Sequence, residues 1–168
     1  GMVLMGGRFW PAQELPFYYI PYWLVRTVPD LIIVLLVSGV VLGFVMLRKR
    51  LTERGWRVWL ELFHAPVSVL VFAALFPLAY IIWKNPTLYD GLRHTLFLLP
   101  PMAVLAALSL ERALRRIEAG GQRRIAILVA WGAFAAVVFV VINMIALHPY
   151  QYVYFNQISG GLPAAYNR

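Results

Sequence analysis

Asp30-Leu31-Ile32-Ile33-Val34-Leu35-Leu36-Val37-Ser38-Gly39-Val40-Val41-Leu42-Gly43-Phe44-Val45-Met46-Leu47 is apolar on every face and carries no charge after its first residue. A helix packed on a water-soluble core keeps a polar stripe, so this pattern predicts a helix surrounded by lipid. Three further runs repeat it: Ala65–Trp83, Leu92–Leu110 and Arg124–Leu147. Each matches the roughly 20 residues that cross a hydrocarbon core about 30 Å thick. The expected fold is an all-α integral membrane protein: a bundle of four transmembrane helices with short interfacial helices. An external aromatic interfacial segment (1–28) leads into the transmembrane region (29–147), and 148–168 starts an external C-terminal segment.

The basic residues predict the orientation. The first connection holds Arg48, Lys49, Arg50, Arg54 and Arg57, and the third holds Arg112, Arg115, Arg116, Arg123 and Arg124. Ten of the 15 Lys and Arg residues therefore sit in two connections on one side. By the positive-inside rule both connections face the cytoplasm, which leaves both termini and the Lys84–Gly91 loop outside. A bacterial inner membrane is the expected location.

Composition points to the same class. The chain is 62% hydrophobic and 13% charged, a balance that suits lipid contact. A net charge of +8 in a soluble protein would point to nucleic acid. Here the bases flank apolar runs, so membrane lipid headgroups are the expected partner and nucleic acid is not. With no cysteine there is no disulfide, thiol nucleophile or Cys-based metal site. No cleavable signal peptide is visible in Gly1–Gly7. The chain reads as one piece of a larger membrane protein, opening in an aromatic segment and closing at Tyr166-Asn167-Arg168.

Several local patterns refine this outline. Leu15–Trp23 concentrates aromatics around Pro16 and Pro21 and predicts an interfacial helix starting near Pro16, or an outer lip lining a groove. Pro29 and Asp30 suit a helix start. Gly39 and Gly43 lie one helical turn apart, where a second helix can approach closely. Arg48–His64, with Trp56, Trp59 and Leu60, predicts an amphipathic helix on the inner leaflet. His64 has no ligand or nucleophile partner at useful spacing and is read as an interface residue. Glu111 and Arg115 form an i,i+4 pair on a helix that Gly120-Gly121 should end. Asn143 is explained by an interhelical hydrogen bond.

The richest polar cluster is Tyr89-Asp90-Gly91-Leu92-Arg93-His94, followed by Pro100-Pro101. Asp90 fits an N-cap. Arg93 and His94 in the first turn either form an anion site at the depth of a lipid phosphate or simply snorkel to bulk headgroups. Pro100 and Pro101, within the span, predict a kink. Beyond the last span, Tyr150, Tyr152 and Tyr154 alternate, so an extended segment would place them on one face. With His148 and Asn156 they form either an aromatic belt or a sugar-lining groove.

Tyr89–His94 through Pro100-Pro101, and His148-Pro149-Tyr150-Gln151-Tyr152-Val153-Tyr154-Phe155-Asn156, resemble the C-terminal half of family 39-type membrane glycosyltransferases. Leu15–Pro21 resembles that family's external loop before a span. The group has the GT-C fold and includes protein mannosyltransferases and lipid A aminoarabinose transferases. The resemblance implies transfer of a sugar from a polyprenyl-phosphate carrier to an acceptor on the outer face. It implies that Arg93 and His94 bind the donor phosphate, and that Tyr18, Tyr19, His148, Tyr150, Tyr152 and Asn156 line the sugar or acceptor groove. The family's essential acid lies in its first external loop, which has no counterpart here, so no catalytic residue is assigned. The expected partners are membrane lipid, a polyprenyl-phosphate-linked sugar and the remaining N-terminal part of the same enzyme. No cofactor and no metal are expected. A transporter or flippase component and a non-catalytic assembly subunit are the alternatives.

Overall fold

The structure is a computed structural model that describes every residue except 56, 59, 60, 62–64, 85, 89, 90, 167 and 168, with no side chains for 164–166. The expectations for Trp56, Trp59, Leu60, His64, Tyr89 and Asp90 lie outside the described residues. In chain order the elements are β1 (Met2–Met5), β2 (Arg8–Pro11), α1 (Tyr19–Thr27), α2 (Asp30–Arg54) and α3 (Pro66–Lys84). A 3-10 helix, η1 (Arg93–Leu98), runs directly into α4 (Leu99–Ala119). Then come α5 (Arg123–Ala146), a short 3-10 turn η2 (Gln151–Val153) and α6 (Gly161–Tyr166).

Among the described residues, four helices are long and apolar enough to cross a membrane: α2, α3, η1 continued by α4, and α5. Helix α4 is the centre of the bundle and packs on α2, α3 and α5, while α2 touches α5 only lightly. The α2–α4 crossing is set by Gly39. A Cβ there would fall 3.0 Å from Ser109 Cβ and closer still to its Oγ, so only glycine permits this approach. Gly43 has nothing within 4 Å of its Cβ position. The expected pair of small residues is therefore half a helix contact and half the wall of a groove.

Elsewhere the structure departs from the sequence reading. The chain is not all-α, because Gly6 and Gly7, at φ 59° and 73°, close a two-residue hairpin that pairs Met5 with Arg8. Positive φ at both loop positions gives a turn whose twist matches that of the strands. Helix α2 does not stop at Leu47 but continues to Arg54 and ends at Gly55, φ 61°. The first part of the expected inner amphipathic helix is thus an extension of the first span. Pro100 and Pro101 do not kink a helix. They occupy the first turn of α4, where their missing N–H groups cost nothing, and the preceding turns are 3-10. That assignment explains the burial pattern: Leu92, Thr95 and Leu98 are all buried, a spacing of three that stacks side chains on one 3-10 face.

Glu111 and Arg115 pair at 2.7 Å as expected. Gly121, at φ 78°, lets its N–H reach Glu118 O while the Gln122 N–H reaches Ile117 O. The last carbonyls of α4 are satisfied in this way. Asn143 makes no interhelical bond among the described residues. Its amide donates back to Phe139 O at 2.8 Å.

Candidate functional site

The site is built at the aromatic end of the bundle, where α1, the start of η1 and the segment after α5 converge. Helix α1 carries Tyr19, Ile20 and Leu24 on one buried face, the i, i+1, i+5 set of an amphipathic helix. They join Met5 and Leu15 on one side and Leu88, Leu92 and Leu98 on the other in a single apolar core.

Two long-range clamps hold the parts in register. Tyr19 is buried, and its hydroxyl accepts the Gly91 N–H at 3.1 Å. Gly91 has φ 62°, a left-handed conformation that favours glycine, and it lies against the Trp23 indole, from which a Cβ would be 3.5 Å away, an ordinary contact. The second clamp is Asn156, which is fully buried. Its Nδ2 donates to Val25 O at 2.6 Å and to Val28 O at 2.7 Å. Its Oδ1 accepts the Ser159 N–H at 2.9 Å, and its own backbone N–H donates to Arg26 O at 2.8 Å. Asp30 adds to it, its two carboxylate oxygens accepting the N–H groups of Ile158 and Gln157 at 2.9 and 3.0 Å. Burial pushes the Tyr154 phenol above its ordinary range, and the Asp30 carboxylate pushes it further.

These clamps sort the residues singled out by sequence. Arg93 and His94 are adjacent and exposed on η1. The residue preceding η1 is Leu92 and no side chain caps it. Tyr18 is 41% exposed and sits edge-on to Phe17. Tyr19 and Asn156 are buried, and the polar groups of the Asn156 side chain are consumed by its clamp, so neither side chain lines a groove. Tyr150 and Tyr152 are exposed and meet edge-to-face at 6.3 Å, with His148 Nδ1 2.8 Å from the Gln151 amide nitrogen. The expected common face for the three tyrosines is absent, because η2 turns the chain between them and buries Tyr154 alone.

An open pocket of about 700 Å³ lies between α1 and the chain after Asn156. Tyr18, Tyr22, Arg26 and Ser159 supply its aromatic and polar walls. The Arg26 guanidinium stacks over the Tyr22 ring at 4.2 Å, an i,i+4 cation–π pair that the spacing alone allows. Beside it Trp23 packs against Tyr19, Tyr22 and Phe155. Its buried indole N–H has no acceptor among the described residues. The i,i+4 spacing of Tyr22 and Arg26 is the sequence signal for this pair, whereas nothing local to Asp30 marks its bonds to Gln157 and Ile158. Stacking faces plus a guanidinium and a hydroxyl can hold a ring bearing hydroxyls or an anion. No carboxylate lines the pocket, and no group of metal-ligating side chains converges among the described residues. No protein family, curated protein or solved structure matches this chain.

Proposed function

We propose that this chain is the donor-binding membrane part of a glycosyltransferase that moves a sugar from a polyprenyl-phosphate carrier to an acceptor outside a bacterial inner membrane. The basic ends of the helices face the cytoplasm and the aromatic end faces outward. Arg93 and His94 hold the carrier phosphate, and the Tyr18–Tyr22–Arg26 pocket takes the sugar or the acceptor. The remaining N-terminal part of the same enzyme supplies the carboxylate that activates the acceptor.

The observation that carries this proposal is the placement of Arg93 and His94. They are neighbouring exposed donors on a turn that Tyr19 and Trp23 pin to the aromatic cap, where an apolar span begins. A guanidinium grips phosphate with two hydrogen bonds, and the bond strengthens as charge grows on a leaving phosphate. In the full-length enzyme, Arg93→Ala should weaken polyprenyl-phosphate binding roughly ten-fold or more, the scale of one charged hydrogen-bond pair. Calorimetric titration with polyprenyl phosphate measures it. Undiminished affinity together with undiminished sugar transfer rejects the assignment.

A further inference from the structure

At the opposite, basic end a second concavity of about 720 Å³ runs between α2 and α3, with α4 behind it. For most of its length the walls are apolar: Gly39, Gly43 and Met46 on α2 face Phe72 and Phe76 on α3. At one end it meets three guanidiniums, Arg50 from α2 and Arg112 and Arg116 from α4. Ser109, Arg112 and Arg116 recur at i, i+3 and i+7, which places them on one face of α4.

The pairing of the bases is selective. Lys49, Arg54 and Arg115, nearby on the same helices, face Glu53, Glu61 and Glu111. The three groove arginines have no carboxylate partner among the described residues.

We infer that this groove binds one anionic phospholipid, its phosphate held by Arg50, Arg112 and Arg116 and one acyl chain laid along Gly43 toward Phe76. The inference stands apart from sugar transfer, since it concerns the other end of the bundle. Charge complementarity selects the occupant: an apolar trough that ends in unpaired cations matches an amphiphile with a negative head. The bareness of Gly43, with nothing within 4 Å of its Cβ position, leaves the trough open where the chain would lie.

The test compares dioleoyl phosphatidylglycerol with dioleoyl phosphatidylcholine, which share acyl chains and differ in net headgroup charge. The full chain is held in neutral detergent and its bound lipid is counted by native mass spectrometry. One phosphatidylglycerol should remain per chain, preferred roughly ten-fold or more over phosphatidylcholine, given the attraction each basic residue contributes. Arg112→Gln with Arg116→Gln should remove that preference, and Arg50→Gln tests the same cluster from α2. Arg123→Gln with Arg124→Gln, outside the groove, should leave it intact. Gly43→Phe should displace both lipids. A preference that survives in the Arg112/Arg116 and Arg50 variants overturns the inference. So does an equal loss in the Arg123/Arg124 variant, which would mark diffuse attraction. A dimer that Gly43→Phe dissociates would assign the trough to a second copy and overturn it as well.

Discussion

The aromatic cap and the helical bundle bury opposite kinds of residue. In the cap the hidden side chains are large: Tyr19, Ile20, Leu24, Leu92, Leu98 and Tyr154. Within helices α2 to α5 the hidden positions are small, namely Ala74, Ala106, Ser109 and Ala126. Phe44, Phe72, Trp131 and Phe139 there point outward, and α2 buries no residue at all. The cap is organised as a soluble domain is, by removing apolar area from water and fixing it with satisfied hydrogen bonds. Helices that cross a membrane gain nothing by hiding large side chains from lipid, and these four meet where small residues allow close approach. Mutations should therefore hurt for different reasons at the two ends.

The largest effect is expected in the cap, at Asn156. Asn156→Leu strands the carbonyl of Val28 and the N–H of Ser159, leaves Val25 O only the long contact from Ser159 Oγ, and should cost roughly 3 kcal/mol at 1–3 kcal/mol per unsatisfied buried group. A fall in the thermal midpoint in detergent, with new protease cleavage between Tyr150 and Gly160, would show it. An unchanged midpoint would mean that the cap is not held by this clamp.

In the bundle, steric closeness replaces hydrogen bonding as the vulnerable feature. Gly39→Val drives two methyl groups into Ser109 and should cost about 2 kcal/mol, the usual scale of overpacking. Gly43→Ala, one turn away, should stay within about 0.5 kcal/mol. Equal effects at the two glycines would erase the distinction between helix contact and groove wall.

The smallest effect separates the regions by pH. Because the folded Tyr154 phenol keeps its proton above its ordinary value of 10.0, the unfolded chain ionises first. Stability should then decline as pH rises past that value. Tyr154→Phe should flatten the decline, and Asp30→Asn should reduce it in part while removing one charged acceptor from the Gln157–Ile158 turn. Parallel pH profiles of thermal unfolding for wild type and Tyr154→Phe would count against this coupling.

How much was legible follows the same division. The four long apolar helices were readable because all-round apolarity over some 20 residues has few other uses, and the Glu111–Arg115 pair and the Gly120-Gly121 stop are local patterns. The hairpin at Gly6-Gly7 had a local signature too, but its short strands sit in a segment read as interfacial. Pro100 and Pro101 misled because proline both breaks helices and begins them, and the 3-10 spacing of Leu92, Thr95 and Leu98 decides between the two. Of the candidate site, residue type and position point to Arg93, His94 and Tyr18, and the structure leaves all three exposed. The roles of Asn156, Tyr19 and Asp30 could not be read this way, since each bonds a partner 72 to 131 residues away.

Which segments are apolar enough to sit in lipid, and which ends are basic or aromatic, can be read along the chain, because those properties depend only on neighbouring residues. That Asn156 is a clamp, that Gly39 touches Ser109 while Gly43 faces a trough, and that Arg50 shares one end of it with Arg112 and Arg116 emerge only once the elements pack. Those outcomes depend on which surfaces meet, and no local pattern encodes contacts between residues so far apart in the chain.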